Sequence, residues 1–133
     1  MNAKDLGELA ELRFSIAASE KGYKVSRPIF HNSKYDVILD NGRRLYRVQI
    51  KSTHTVTYRR SLPVYEVCVS HGKNHKGSYT KSQIDAVAVY LGRLDLWYLM
   101  PVKEIEGKVK ITFRPDSTKS KYNKYAMGWD FFK

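Results

Sequence analysis

The sequence contains little that could serve covalent cross-linking or membrane insertion. Its 133 residues include one cysteine, Cys68, so no disulfide can form within the chain. One cysteine and four histidines also exclude a structural zinc site built on cysteine pairs. No apolar run approaches the roughly 18–20 residues of a membrane span, and the N-terminus has no hydrophobic stretch of the signal-peptide type. These absences predict a protein of the reducing cytoplasm.

Acidic residues are scarce relative to basic ones. Lys and Arg number 24 against 13 Asp and Glu, which gives a formal net charge of +11. Residues 43–81 supply most of this excess, because they contain nine basic side chains and one acid, Glu66. The nine are Arg43, Arg44, Arg47, Lys51, Arg59, Arg60, Lys73, Lys76 and Lys81. Such a balance predicts a polyanionic partner, nucleic acid first and an acidic membrane surface second.

The length allows a single domain over residues 1–133. Apolar residues at helical spacing predict a helix over 5–21, with Leu9, Leu12 and Ile16 on its buried side. Apolar runs bounded by turn residues predict strands at 23–28, 35–39, 45–50, 64–69, 84–91, 96–100 and 109–113. The pattern indicates an α+β fold, one mixed sheet with the N-terminal helix packed on it.

Two further segments have a distinctive composition. Residues 71–79 are polar and lack apolar periodicity, so they are predicted to form a loop. The tail, 114–133, combines lysines with aromatic residues and is expected to dock on the core through its last aromatic side chains. Tyr122 and Tyr125 in this tail could stack on bases or pack against the core, and the sequence leaves both interpretations open.

A hairpin predicted between residues 35 and 50 brings together three polar side chains. Its turn contains Asp40-Asn41-Gly42, a strong turn signal. A turn centred there pairs Asp36 with residue 48, and the alternation of a strand places Gln49 and Lys51 on one face. Carboxylate and amide oxygens suit Mg²⁺, and a lysine beside a metal can stabilise charge on a phosphodiester. Considered alone, these residue types favour an ordinary strand-edge acid and a solvated lysine.

The order of polar residues along the chain resembles the PD-(D/E)-x-K nuclease superfamily. The similarity covers residues 5–53 best and is strongest to archaeal Holliday-junction resolvases and to small endonucleases encoded in group I introns. It is carried by the spacing of Glu11, Ser33, Asp36, Gln49 and Lys51. The resemblance implies a restriction-endonuclease-like fold and a Mg²⁺ cofactor, with Mn²⁺ as a substitute.

The resemblance also implies a role for each of these five residues. Asp36 would be the principal metal ligand, with Gln49 and Glu11 as further ligands. Ser33 would place a hydroxyl near the scissile phosphate, and Lys51 would be the catalytic lysine.

The sequence departs from the superfamily pattern at two positions. Tyr35 stands where the pattern has proline, at a place that varies among members. Gln49 replaces an acid, which retains an oxygen ligand but removes one negative charge. The intron endonucleases have a similar Arg-Val-Gln-Val-Lys run, here Arg47-Val48-Gln49-Ile50-Lys51. The glutamine is therefore interpreted as a signature of that branch.

The function predicted from the sequence is metal-dependent endonucleolytic hydrolysis of DNA, at a branched structure or at a homing-type site. The partner would be double-stranded or branched DNA and no membrane, in the setting of a nucleoid, a phage or another mobile element. A chain of this size is expected to form a homodimer or higher homo-oligomer to cut two strands. The residues predicted to contact DNA are Lys34, Arg43, Arg44, Arg47, Arg59, Arg60, Lys73, Lys76 and Lys81.

Alternative interpretations are open at this point. Loss of the acid at Gln49 could mark a non-catalytic nucleic-acid-binding protein on a degenerate nuclease scaffold. A structural or ribosome-associated basic protein would explain the charge but not the hairpin. His71 and His75 have the i, i+4 spacing of metal ligands, but glycines flank them and no third ligand lies nearby. Loop histidines are the favoured interpretation of this pair.

Overall fold

The computed structural model describes residues 1–72 and 77–133. A single α-helix, α1 (Ala3–Glu20), opens the described part of the chain. The strands that follow are β1 (Lys24–Ser26), β2 (Val37–Asp40), β3 (Leu45–Thr53), β4 (Thr57–Arg59), β5 (Leu62–Cys68), β6 (Ser70–His71), β7 (Gly77–Ser78), β8 (Ala86–Leu91), β9 (Leu96–Pro101) and β10 (Lys110–Phe113). Short 3₁₀ turns occur at Val102–Glu104, Asn123–Tyr125 and Trp129–Phe132.

The main sheet has five strands in the order β1-β2-β3-β8-β9. β3 and β8 run parallel, and the other neighbours are antiparallel. Parallel neighbours need a long crossover, and here the crossover contains β4 to β7. All six residues of β8 are buried, as expected for a central strand with both faces covered.

Each face of the main sheet is covered by a different layer. α1 and the C-terminal aromatic residues pack on the face that carries Val48, Ile50 and Ala88. The opposite face, which carries Val87 and Val89, packs against a second sheet of order β10-β5-β4. The α+β class with a helix on a mixed sheet is confirmed.

The expectation that every strand joins one sheet is wrong for residues 62–68 and 110–113. These segments form the second sheet, because the apolar face of β8 and β9 that α1 does not cover needs a layer of its own. The polar segment after β5 also differs from a simple loop, since β6 and β7 pair as a two-stranded ladder.

The buried face of α1 differs from the predicted one. Ala10, Phe14 and Ala18 are buried, whereas Leu12 and Ile16 are 50% and 60% exposed. The expectation for Leu12 and Ile16 is therefore wrong. The two small alanines allow the helix to approach the sheet closely, and Phe14 between them fills the space beneath the C-terminal segment.

The C-terminal segment completes the core beneath α1. The Trp129 and Phe132 rings are buried, with centroids 5.5 and 6.3 Å from that of Phe14. The Phe132 ring also lies edge-on to Tyr46 of β3 at 5.2 Å. The side-chain amide of Asn41 donates to the Phe132 carbonyl oxygen at 2.7 Å, so the β2–β3 turn is bonded to the end of the chain.

Within the described residues, no helix has both the length and the apolar character needed to cross a membrane.

The orientation of α1 can be tested by a pair of substitutions two residues apart. Phe14→Ala removes a fully buried ring and is expected to lower the free energy of unfolding by about 3–5 kcal/mol. Ile16→Ala truncates an exposed side chain and is expected to change it by less than about 0.5 kcal/mol. Equilibrium denaturation in urea measures both values. Similar losses in the two variants would contradict the observed helix face.

Candidate active site

The β2–β3 hairpin places Asp36 directly beside β3. Val37 pairs with Val48, so Asp36 lies opposite Gln49, one residue further than the sequence predicted. The shift arises because four residues, 41–44, connect the strands, with Asn41 Oδ1 accepting from the backbone N–H of Arg43 and of Arg44 at 2.8 Å. Each of these bonds favours that longer turn over a two-residue one.

Two hydrogen bonds attach Asp36 to β3. Its backbone N–H donates to the Val48 carbonyl oxygen at 2.9 Å, and the Ile50 N–H donates to Asp36 Oδ2 at 2.8 Å. The carboxylate is therefore held by one oxygen, and Oδ1 accepts no hydrogen bond from the residues that the structure describes.

The alternation of β3 separates apolar from polar side chains, as the sequence predicted. Val48 and Ile50 join the core beneath α1. Gln49 is 8% exposed, and its amide nitrogen makes one long contact, donating to the Ile50 carbonyl oxygen at 3.5 Å. A bond of that length is weak, so hydrogen bonding does little to fix the orientation of the Gln49 amide.

Lys51 reaches away from the main sheet toward the segment that follows β5. Its ammonium group donates to the Ser70 carbonyl oxygen at 3.0 Å and lies 5.4 Å from the centroid of the Tyr79 ring. It also interacts electrostatically with Asp36. The predicted association of an aspartate and a lysine at the open end of the hairpin is thus present in the geometry.

A recess of about 80 Å³ lies between α1 and the loop that connects β1 to β2. Glu11, Ser33 and Asp36 all line it, so three of the five predicted site residues share one small space. Glu11 is half-buried at the border of the buried side of α1 and lines the recess from there. Gln49 and Lys51 lie outside the lining and approach Asp36 from β3.

The two carboxyl groups of the recess are costly to ionise. Burial is the main cause that raises the pKa of Glu11 to about 7, and the nearby charge of Asp36 is the second. The charge of Arg27 acts in the opposite direction. Burial also raises the pKa of Asp36 above its usual value, although the Ile50 N–H, Lys51 and Arg27 oppose the shift. A cation placed between such groups would relieve both the desolvation and the mutual repulsion.

The donor chemistry of the site fits a hard divalent cation. Carboxylate and amide oxygens are the ligands that Mg²⁺ prefers, with water and substrate phosphate completing the shell. Within the residues that the structure describes, no cluster of three or more His, Cys, Asp or Glu side chains could hold a metal ion. A metal here would therefore depend on the two carboxyl groups and on the Gln49 amide oxygen.

Sequence analysis missed two residues of the recess, Arg27 and His31. Both line it, and Arg27 interacts electrostatically with Glu11 and with Asp36. A signal was present, since Arg27 directly precedes Pro28 at the end of a predicted strand and lies nine residues before Asp36. A single basic residue in a loop was too common a feature to be singled out.

One predicted DNA contact, Arg47, is engaged inside the protein. Its guanidinium donates to both carboxylate oxygens of Asp85 at 3.1 and 3.2 Å and to the carbonyl oxygens of Lys81 and Ser82. A bidentate bond of this kind with two further acceptors uses most of its donors. Arg47 therefore connects β3 to the start of β8.

The remaining predicted contacts have varied surroundings. Arg59 pairs with Glu66 at 3.1 Å, and Arg44 lies over the Tyr46 ring and 3.6 Å from Asp85. Lys73 and Lys76 lie outside the described residues, as does His75. Six of the predicted contacts are exposed to solvent, namely Lys34, Arg43, Arg44, Arg59, Arg60 and Lys81.

The helix packed on a five-stranded mixed sheet is a restriction-endonuclease-like fold, which is the fold of a class of nucleases. More particularly, the chain belongs to the PD-(D/E)XK endonuclease family, whose profile matches residues 1–132. This match confirms the resemblance seen in the sequence and an endonuclease function. Members of this family generally use divalent metal ions.

A solved structure supports the fold independently. The bacterial homing endonuclease I-Ssp6803I superposes with a TM-score of 0.83 at 20% sequence identity, and the match covers 99% of this chain and 93% of that one. At such low identity the likeness concerns the fold alone. No curated protein matches the chain significantly.

Ionisation of Glu11 is expected to lower the stability of the metal-free protein as the pH rises. Its folded-state pKa of about 7 exceeds the ordinary 4.5, so between these values the unfolded chain binds fewer protons than the folded one. Stability is then lost as pH rises through this window. Glu11→Gln cannot ionise, so its melting temperature is expected to exceed that of the unsubstituted protein by several degrees at pH 8 and by little at pH 4.5.

Thermal unfolding in the presence of a chelator measures this difference. Glu20→Gln, at an exposed position on the same helix and outside the recess, is the matched control and is expected to show a much smaller change. A constant difference between Glu11→Gln and the unsubstituted protein from pH 4.5 to 8 would contradict the raised pKa.

Proposed function

We propose that the protein is a Mg²⁺-dependent DNA endonuclease whose reacting phosphodiester lies at the open end of the β2–β3 hairpin. The observation that carries this proposal is the bond from the Ile50 N–H to Asp36 Oδ2. It holds a desolvated carboxylate beside Lys51 and the recess of Glu11, and leaves its second oxygen available to a cation.

The metal ion would be held by Asp36, Gln49 and Glu11. Their oxygen atoms form a donor set that Mg²⁺ accepts with water and substrate, and Mn²⁺ would substitute because it prefers similar ligands. When bound, such an ion polarises a phosphoryl oxygen and lowers the pKa of a coordinated water. The neutral Gln49 amide makes the site less negative than an acid would.

Lys51 would stabilise the negative charge that develops on the phosphate as water attacks. The Ser70 carbonyl and the Tyr79 ring hold its ammonium group on one side, which reduces the reorganisation needed during the reaction. The Ser33 hydroxyl and the Arg27 guanidinium line the recess beside Asp36. These two groups would bind non-bridging phosphate oxygens and orient the phosphodiester.

The exposed cations Lys34, Arg43, Arg60 and Lys81 would contact the DNA backbone without reading its sequence. The described residues of one chain form one such site, so cutting both strands of a duplex would require a homodimer or a higher homo-oligomer. Cleavage assays on linear duplex, nicked duplex and four-way junction DNA distinguish a homing-type enzyme from a junction-resolving one.

The assignment of Asp36 and Lys51 predicts a separation of chemistry from binding. Asp36→Ala and Lys51→Ala are each expected to reduce the rate of plasmid cleavage by at least about 10²–10³-fold. DNA affinity should change little, because it depends mainly on many phosphate contacts.

Gel assays with Mg²⁺ or Mn²⁺ measure cleavage, and fluorescence anisotropy measures binding. Asp130→Ala and Lys4→Ala are controls at exposed positions. Cleavage that persisted in Asp36→Ala would overturn the proposed site. No cleavage of any DNA by the unsubstituted protein would favour the non-catalytic alternative.

The position of Gln49 predicts a change in metal affinity when the acid is restored. Gln49→Glu is expected to bind Mg²⁺ more tightly, roughly tenfold or more, because a carboxylate replaces a neutral oxygen at a hard cation. Isothermal titration calorimetry of the metal alone provides the measurement, with Gln83→Glu as the control. If Mg²⁺ affinity and the metal dependence of cleavage are both unaltered, Gln49 is not a ligand.

A further inference from the structure

A basic groove of about 510 Å³ lies between β10 and residues 114–122. We call it the β10 groove. Five cations line it, and its lining contains no carboxylate. They are Lys108, Lys110, Arg114, Lys119 and Lys121. None of these residues is in the basic segment 43–81, and none belongs to the site described above.

The buried side chain of Tyr122 forms the base of the groove, next to the cations. The Tyr122 ring is buried and lies 5.3 Å from that of Phe113, and its hydroxyl accepts from the Lys108 ammonium at 3.1 Å. Lys121 lies 4.9 Å from the same ring. Tyr122 is therefore a packing residue rather than a stacking platform for bases.

Hydrogen bonds hold the loop that forms the other wall. The side-chain amide of Asn123 donates to the Ser117 carbonyl oxygen at 2.7 Å, and the Ser117 N–H donates to the Arg114 carbonyl oxygen at 3.1 Å. The neighbouring Tyr125 hydroxyl donates to Glu104, so this tyrosine is also engaged within the protein.

The charge balance around the groove is strongly positive. Residues 108–124 contain six basic side chains and one acid, Asp116. Two nearby carboxylates offset part of this charge. Glu104 accepts from Tyr125, and Glu66 is shared between Arg59 and Lys110. A surplus of mutually repelling cations remains, and a polyanion would relieve that repulsion.

We propose that the β10 groove binds the phosphate backbone of the DNA substrate, in addition to the contacts made at the hairpin site. The choice of DNA as the partner of the groove rests on the proposed function. Lys110 pairs with Cys68 on β5, two residues before Ser70, whose carbonyl oxygen holds Lys51. This pairing places the Lys110 end of the groove near the residues around Lys51, and we infer that one DNA molecule contacts both.

The chemistry of the groove favours phosphates over bases. The cations of the groove extend from a strand onto a loop, so they can contact successive phosphates of a nucleic-acid backbone. The Tyr122 ring is buried and cannot stack on a base. Contacts of this kind supply affinity and orientation without sequence preference. The groove would therefore strengthen DNA binding and leave the choice of cleavage site to other residues.

The test compares two triple variants with the same loss of net charge. One replaces Lys110, Lys119 and Lys121 by alanine, and the control replaces the exposed lysines Lys4, Lys21 and Lys24 near α1 and β1. Both are made with Asp36→Ala so that the DNA stays intact. Affinity for a random-sequence duplex is measured by fluorescence anisotropy over a series of salt concentrations.

The groove variant is expected to reduce the slope of log affinity against log salt by about 2.7, since each duplex phosphate contact contributes about 0.9. The control variant is expected to keep the original slope. Equal slopes in the two variants would overturn the proposal. A second groove variant with glutamine at the same positions guards against a folding defect, and thermal unfolding of each protein verifies its fold.

Two further measurements separate this inference from its alternatives. Titration with inorganic tripolyphosphate tests whether the groove binds a small free polyanion instead of DNA. If the groove variant loses tripolyphosphate binding but keeps the original salt slope for DNA, the proposal is overturned. With Asp36 retained, the groove variant is expected to cleave at an unchanged rate at saturating DNA but to need more DNA for half-maximal rate. If the unsubstituted protein cuts no DNA, the proposed function fails. The comparison of salt slopes then still shows whether the groove binds DNA.

Discussion

The hydrogen bond from the Ile50 backbone to the Asp36 carboxylate determines where the charged groups of the site lie. The Ile50 side chain is buried in the core, so the position of its N–H is set by packing rather than by the site. Asp36 is thereby held at the edge of β3, and Lys51 follows in the chain on the opposite face from Ile50. Burial of the carboxylate has a cost, visible as a raised pKa, which this bond and the charges of Lys51 and Arg27 partly offset.

The remaining parts of the site depend on how the two faces of the main sheet are covered. α1 packs through Ala10 and Phe14, and this orientation turns Glu11 toward Asp36. On the other face, the second sheet ends next to Ser70, whose carbonyl oxygen accepts from Lys51. The parallel pairing of β3 and β8 requires a long crossover, which contains two of the three strands of this sheet, β4 and β5. The layers that bury the core therefore also position the polar groups around Asp36.

The part of the sequence with the most basic residues is not the only part whose cations the fold presents to a partner. The segment 43–81 contains the greatest excess of basic residues, but Arg47 uses most of its donors on Asp85 and on two backbone carbonyl oxygens. The β10 groove gathers cations from a strand and a loop of the C-terminal third. Whether a lysine or arginine can meet a phosphate is decided by the acceptors that the fold places beside it, and net charge alone does not report this.

Sequence patterns were sufficient to predict the hairpin and the residues at its open end. Asp40-Asn41-Gly42 and the alternation of β3 act over a few residues, so Asp36, Gln49 and Lys51 were brought together correctly, with an error of one residue in register. Tertiary packing set the buried face of α1, the second sheet, the bonding of Arg47 and the presence of Arg27 beside the two carboxyl groups. Each of these depends on contacts between segments far apart in the chain, such as Phe14 with Phe132. Local periodicity carries no information about such contacts, because the partner surface forms only when the chain folds.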